Sequence, residues 1–263
     1  IEVACSGGHS CIMSGPPGGG KTMLSKRIPS ILPPLSYEEA MEVTKIYSVS
    51  GLITPQNPLI KNRPFRTVHH TASSVSLVGG GSKAMPGEVS LAHNGVLFLD
   101  EIPEFKRAAL EVLRQPLEDK KVTVTRVSRT AVYPCNFMIV AAMNPCPCGY
   151  FGSDVKPCTC SNEEIRRYQR KISGPLFDRI DIQIEIPALK YNQLSDSNKA
   201  ESSDIIRKRV TQAREIQEKR YKGSGIRTNA ELTSPMIKEY CKLSNEANTV
   251  LRRAFDNLGL SAR

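Results

Sequence analysis

No uninterrupted apolar run in these 263 residues approaches the roughly 18 that a membrane-crossing helix requires. No secretory signal is visible either, and the chain reads as cytoplasmic. Acidic residues are short against basic ones: 26 Asp+Glu face 36 Lys+Arg, giving a net charge of +10 with no single basic tail to account for it. A protein that meets a polyanion and a protein with a solvated basic surface both fit that excess. An initiator Met is missing, so the chain reads as a piece of something longer. Eight cysteines are present, but in a chain of cytosolic character they do not read as a disulfide framework. What remains is 40% hydrophobic and 24% charged, at a length that suits one α/β domain with a real core plus a smaller appendage.

The richest stretch is Gly15-Pro16-Pro17-Gly18-Gly19-Gly20-Lys21-Thr22, with Met23 opening the helix-forming run behind it and Ile1 to Cys11 expected to run directly into the strand ahead of it. The spacing Gly-x-x-x-x-Gly-Lys-Thr lets backbone N–H groups wrap a polyphosphate, with the positive end of the following helix dipole facing it. Lys21 is expected to bridge the β- and γ-phosphates of ATP, and Thr22 to ligate Mg²⁺ through its hydroxyl. Downstream, Gly95-Val96-Leu97-Phe98-Leu99-Asp100-Glu101 is a continuous apolar run ending in two acids, the pattern of a buried parallel strand whose C-terminal end faces a nucleotide. Asp100 is placed to hold the water shell of Mg²⁺, and Glu101 to orient and polarise an attacking water. Two acids capping the next helix would look the same in isolation. Phe137 to Asn144 is a second buried strand, and its terminal amide, Asn144, is a candidate to touch the γ-phosphate or that water.

Between these strands the pattern varies. Residues 31–50 predict a helix with Ser36 as N-cap, Glu38 and Glu39 in its first turn, and Met41, Ile46 and Val49 on its buried face. Residues 51–87 are loose and rich in Pro, Gly, Ser and Thr, too long for an idle loop, with two short strands expected near 65–71 and 76–83. His69 and His70 on an extended chain would point to opposite faces and could not share one metal ion. Lys121 to Tyr133 alternates and turns back as a hairpin with Lys120, Lys121, Arg126 and Arg129 at or near its tip. Cys146-Pro147-Cys148 and Cys158-Thr159-Cys160 flank a glycine-containing loop and could supply four thiolates to a structural Zn²⁺; reduced free thiols are the alternative. A basic helix is expected over residues 163–173, and a strand over 182–186 closes the sheet. Residues 195–203 read as a linker, and three helices follow, one of them with Ser234 as N-cap.

A phosphate loop, an acid pair, a polar-tipped strand, an arginine before the last strand and helices after the sheet follow the order of an AAA+ ATPase. More narrowly, residues 86–101 (Pro86-Gly87-Glu88 through Asp100-Glu101) and residues 172–181 (Ile172-Ser173-Gly174-Pro175 through Ile180-Asp181) resemble the magnesium-chelatase-like ATPases of the ComM/YifB family. The resemblance spans nearly the whole chain. It implies an α/β P-loop NTPase (AAA+) fold: a parallel sheet sandwiched by helices over residues 1–194, and a truncated all-helical lid over 204–263. The family's usual Lon-protease-like amino-terminal domain is not in this stretch. By position, Lys21 and Thr22 match Walker A, Asp100 and Glu101 match Walker B, and Asn144 matches sensor 1. Arg179 matches an arginine finger that reaches the ATP of the neighbouring subunit, and Arg263 matches the sensor 2 arginine. The segments 51–87 and 121–133 match insertions that face the channel of a hexamer-like homo-oligomeric ring, where basic tips could grip DNA. Burial of Arg179 within its own subunit, or acids of the strand Val96 to Glu101 turned away from the glycine loop, would count against this picture.

The resemblance leaves two functions to weigh. One is an ATP-driven motor on DNA of the ComM type, acting in branch migration during natural transformation. The other is a chelatase-type ATPase subunit that remodels a partner protein to drive Mg²⁺ into a porphyrin. A small-molecule kinase fits poorly, since no acceptor-binding feature accompanies the phosphate loop.

Overall fold

The computed structural model describes residues 1–81, 83–126, 129–188 and 200–258. In chain order its strands are β1 (Cys11–Ser14), β2 (Phe65–Val68), β3 (Gly79–Gly80), β4 (Met85–Pro86), β5 (Val96–Leu99), β6 (Lys121–Arg126), β7 (Arg129–Pro134), β8 (Met138–Met143) and β9 (Ile182–Glu185). Five of them form one sheet in the order β2-β5-β8-β1-β9, every neighbouring pair parallel. Parallel strands covered on both faces need apolar residues at every position, which is why the runs in β5 and β8 are continuous rather than alternating.

The two-residue period of a strand divides those runs between two cores. Leu97 and Leu99 of β5, Ile139, Ala141 and Met143 of β8, and Ile12 of β1 enter one core, closed by Leu110, Leu113, Leu117, Tyr168 and Leu176. Val96, Phe98, Met138, Val140, Ala142, Cys11 and Met13 enter the other, closed by Ala4, Cys5, Ile28, Ile31 and Val210. Phe98 is wholly buried and stacks on Phe65 at 5.8 Å; truncating such a side chain to alanine costs about 3–5 kcal/mol.

Helix Tyr37–Val49 begins where Ser36 predicts, with a reciprocal capping box between Ser36 and Glu39. Its buried residues are Glu39, Ala40, Val43 and Ile46, whereas Val49 is exposed. The first residues do not run straight into β1: Glu2–Gly7 is a short helix ended by Gly8 in the left-handed region (φ 77°). The expected strand near residue 76 is largely helix Ser74–Val78, because the Ser73 hydroxyl caps it by accepting from the Ser76 amide; β3 and β4 form the small two-stranded sheet beyond it. Farther on, Thr233 rather than Ser234 is the N-cap of helix Ser234–Tyr240.

Helix Ser203–Arg220 packs on Glu2–Gly7 and on the phosphate-loop helix Lys21–Ile31. Polar contacts fix it there: Arg214 Nε and Nη2 donate to the Cys5 carbonyl at 2.9 and 2.6 Å, and Gln217 Nε2 donates to the Ser6 carbonyl at 2.8 Å. Helices Ser234–Tyr240 and Asn245–Leu258 follow. Among the described residues no helix is long and apolar enough to cross a membrane.

Candidate nucleotide and metal sites

The sheet order puts β5, β8 and β1 side by side, and each ends in polar residues at the same edge. Leu99 pairs with Ala141 and Ser14 with Met143, so the residues that follow these strands, Asp100 and Glu101, Asn144, and the loop from Gly15, come together. In open α/β sheets, ligands bind outside the carboxyl ends of the strands where connections diverge. Here the chain leaves β1 for β2 at the far edge, returns through β5 and β8, and finally places β9 on the other side of β1.

The loop conformation explains its glycines. Gly18 (φ 77°) and Gly20 (φ 82°) occupy the left-handed region, and a Cβ on Gly15 would lie 2.3 Å from the Ile186 carbonyl oxygen. Gly20 is the N-cap of helix Lys21–Ile31, so the free amides of that helix's first turn face the loop. Pro16, Pro17 and Gly19 complete the curve, in which the Gly19 amide donates to the Pro16 carbonyl. Met23 stands exposed on the helix's first turn. Lys21 Nζ fills the cradle by donating to the carbonyls of Gly15 (2.6 Å) and Pro16 (2.8 Å) and to Asn144 Oδ1 (3.2 Å). Burial holds the Lys21 ammonium below its ordinary pKa, against the opposing pull of Asp100 and Glu101.

Thr22 Oγ1 donates to Asp100 Oδ2 at 2.8 Å, which brings together a hydroxyl and a carboxylate as a hard cation requires. Glu101 adopts φ 51°, ψ 48°, a left-handed conformation that is uncommon for a residue with a Cβ, and its amide donates to Asp100 Oδ1. The Glu101 side chain is 59% exposed, and its carboxylate is still near enough to Lys21 to act on that ammonium. His70 Nδ1 lies 3.6 Å from Glu101 Oε2. These two residues are 31 positions apart in the chain, and only the pairing of β2 with β5 connects them. Nor do His69 and His70 point to opposite faces, since their ring centroids are 4.1 Å apart. The strand stops at Val68, so its alternation does not extend to them.

Cys146, Cys148, Cys158 and Cys160 converge, with their sulfurs all within 4.8 Å of one another. Three of the separations are 3.4, 3.6 and 3.5 Å. A tetrahedral zinc with Zn–S bonds of about 2.3 Å sets its sulfurs about 3.8 Å apart, so the cluster is close to that geometry. Backbone amides of Phe151, Cys148 and Cys160 donate to the sulfurs of Cys146, Cys160 and Cys158, which favours thiolates. The donor set fits zinc.

Arg179 precedes β9, at the N-terminal edge of the sheet. The phosphate loop of its own chain lies at the opposite edge, a strand length of about 13 Å away. Its guanidinium donates to the Pro175 carbonyl and the Glu118 carboxylate, its side chain is 11% exposed, and its Nε is buried without a hydrogen-bond partner among the described residues; Arg179 is thus largely buried within its own subunit, which counts against a finger already poised for a neighbour's ATP. Hairpin β6–β7 forms with Arg126 opposite Arg129 next to the turn, but Lys121 pairs with Pro134 at the open end. Lys120 and Lys121 therefore stand at the hairpin's base and not at its tip. The side chains of Arg126 and Arg129 lie outside the described residues, as do Arg263 and most of the expected linker over 195–203.

Two family models match the chain: "Magnesium chelatase, subunit ChlI" over residues 1–194, and "Magnesium chelatase, subunit ChlI C-terminal" over residues 200–263. An uncharacterized protein of Mycobacterium tuberculosis is 46% identical over all of this chain and 52% of its own length. The YifB protein of Escherichia coli is 44% identical over the whole chain and 51% of its own length. The competence protein ComM of Haemophilus influenzae is 42% identical over the whole chain and 50% of its own length. The chain thus spans about half the length of these curated relatives. With a five-stranded parallel sheet, a glycine-rich loop after β1 and matches over the whole of this chain, the chain belongs to the magnesium-chelatase-like AAA+ family that includes YifB and ComM.

Proposed function

We propose that this chain is the ATP-binding and ATP-hydrolysing core of a ring-forming motor that acts on DNA. The observation that carries the ATPase reading is the convergence of Lys21, Thr22, Asp100, Glu101 and Asn144 at the ends of three adjacent strands. Loop amides hold the triphosphate while Lys21 exchanges the Gly15 and Pro16 carbonyls for phosphate oxygens. Thr22 and Asp100 would hold Mg²⁺, which would supply charge neutralisation to the phosphates. Glu101 orients the attacking water and takes up its proton, and Asn144 fixes the γ-phosphate or that water. Arg179 from a neighbouring copy stabilises the transition-state charge, as its distance from its own loop suggests. Sensor 2 contact from Arg263 belongs to the same reading.

A DNA substrate is supported by the net charge of +10 and by a hairpin with Arg126 and Arg129 beside its turn, a device that can hold a phosphate backbone without reading bases. Lys120 and Lys121 contribute from the hairpin base. The competence name of one relative is in keeping with this. The family name favours the second reading, a subunit that remodels a partner to insert Mg²⁺ into a porphyrin. Zinc in the four-cysteine knot has a structural role in either case, since four thiolates leave no open position for water.

The test is phosphate release by the full-length protein with and without forked DNA. Salt-sensitive DNA binding with stimulated turnover is expected, and loss of turnover in Lys21→Ala. No stimulation together with no salt-sensitive binding eliminates the motor on DNA, and turnover that survives Lys21→Ala eliminates this ATP site.

A further inference from the structure

The four-cysteine loop and the phosphate loop touch. Gly149, between Cys148 and Tyr150, has φ 86°, and a Cβ built on it would lie 2.6 and 2.7 Å from Cδ and Cγ of Pro17 and 3.8 Å from Cγ of Asn144. Gly149 is thus pressed on the Pro17 ring with no room for a methyl group, one residue from a metal-ligating cysteine. Asn144, which accepts from Lys21, precedes Cys146 by two residues. At the other end, Ser161 directly follows Cys160 and caps helix Asn162–Gln169, and Gln169 Nε2 donates back to the Pro145 carbonyl at 3.3 Å. The knot therefore closes a ring of contacts that starts and ends beside Asn144, with Pro17 against it. Residues 145–160 contain no helix or strand, so side-chain cross-linking is what gives this segment one shape.

We propose that metal bound by Cys146, Cys148, Cys158 and Cys160 braces the phosphate loop, holding Pro17 through Gly149 and Lys21 through Asn144 in the arrangement that accepts a nucleotide. The inference rests on the zinc reading of the knot. Without a cation the four cysteines lose the bonds that cross-link a segment containing no helix or strand, so metal loss loosens the knot and releases Gly149 from Pro17. Linkage makes the effect reciprocal: a nucleotide must tighten metal binding by the same factor by which metal tightens nucleotide binding. A coupling of about 5–150-fold is expected for two sites joined by packed contacts.

The full-length protein, purified without chelator, is assayed for zinc by elemental analysis. It is then compared zinc-loaded, stripped under reducing conditions and reloaded. The readouts are the Kd of a fluorescent ATP analogue and hydrogen exchange of the peptide spanning residues 15–22. One zinc per chain is expected, with weaker analogue binding and faster exchange on stripping, both reversed by reloading. Competition against a metal-binding dye should show the analogue tightening zinc by the same factor. Pro17→Ala should keep its zinc but lose most of the dependence of analogue Kd on metal. Protein that binds no metal overturns both the zinc reading and the brace. One reversible zinc with unchanged Kd and exchange overturns the brace and leaves the zinc site standing. Should stripping unfold the chain, Pro17→Ala and Gly149→Ala decide in the zinc-loaded state. Zinc retained with unaltered analogue binding in both variants overturns the brace.

Discussion

Arg179 is held by Glu118 of its own chain, at the edge of the sheet remote from its own phosphate loop. A guanidinium with 11% of its side chain exposed and its Nε unpartnered among the described residues is not resting in open solvent waiting for a ligand. To reach a neighbour's triphosphate it must exchange one carboxylate for another anion, which keeps its charge compensated throughout. Turnover per chain should therefore rise with protein concentration. Arg179→Ala should lower it by about 10³–10⁵-fold with little change in the Kd of an ATP analogue. Steady-state phosphate release across a dilution series measures this. Robust hydrolysis in a strictly monomeric sample would contradict a role in trans, and a collapse of analogue binding in Arg179→Ala would make the residue a structural one.

The acids after β5 should separate by function. Asp100 is tied to Thr22, so Asp100→Asn should weaken the Mg²⁺ dependence of nucleotide binding. The Glu101 carboxylate lies 3.6 Å from His70 Nδ1, so Glu101→Gln should leave binding intact and cut turnover by about 10²–10⁴-fold. His70→Ala, by freeing that carboxylate, should change kcat more than KM. Analogue titrations over a range of Mg²⁺ concentrations, set beside single-turnover hydrolysis, distinguish the three variants.

Much of this site was legible from residues alone, for a physical reason. A buried parallel strand must be apolar at each position, so the runs ending at Leu99 and Met143 stood out, and the first polar residues after them had to sit at the sheet's edge. The glycines of the phosphate loop announced backbone conformations that few other residues adopt. Ser36 and Glu39 announced a helix start because the capping box is entirely local. Contacts between distant parts of the chain carried no such signal. His70 beside Glu101, Glu118 on Arg179 and Gly149 against Pro17 all depend on strand order and loop path. Helix Glu2–Gly7 was missed because six residues without a capping side chain show no periodicity to read.

Glu39 joins the core to the C-terminal helices. Arg63 donates to it twice, at 3.1 and 2.8 Å, and Arg227 lies 3.1 Å from Oε1, while 9% of the Glu39 side chain is exposed. Burial alone would raise the carboxyl's pKa. Arg63, the Ser36 amide and Arg227 outweigh it, and the net shift is downward. A depressed acid stabilises the fold above its unfolded pKa, near 4.5, and that stability fades as pH falls through the folded value. Glu39→Gln strands Arg63 without its counter-charge and should cost about 3–5 kcal/mol. Urea unfolding at neutral pH reads the loss directly, and a difference under about 0.5 kcal/mol would show that the pair is not needed.

His93 should make the fold sensitive to mild acid. Its Nδ1 accepts from the Asn136 amide at 3.0 Å, which leaves the proton on Nε2, 3.2 Å from Glu42 Oε2. Burial pushes its pKa below the ordinary 6.5 although Glu42 pulls the other way, and only 6% of the side chain is exposed. Protonating Nδ1 would break the bond from Asn136. Between the depressed folded pKa and 6.5 the unfolded chain binds the extra proton, so stability is complete above about 6.5 and declines as pH falls below it. Melting curves between about pH 7.5 and about pH 5.5 should show the midpoint falling, at about 2–4 °C for each kcal/mol lost. His93→Gln cannot take up that proton and should flatten the slope. Equal slopes in the two proteins would assign the acid sensitivity to other groups.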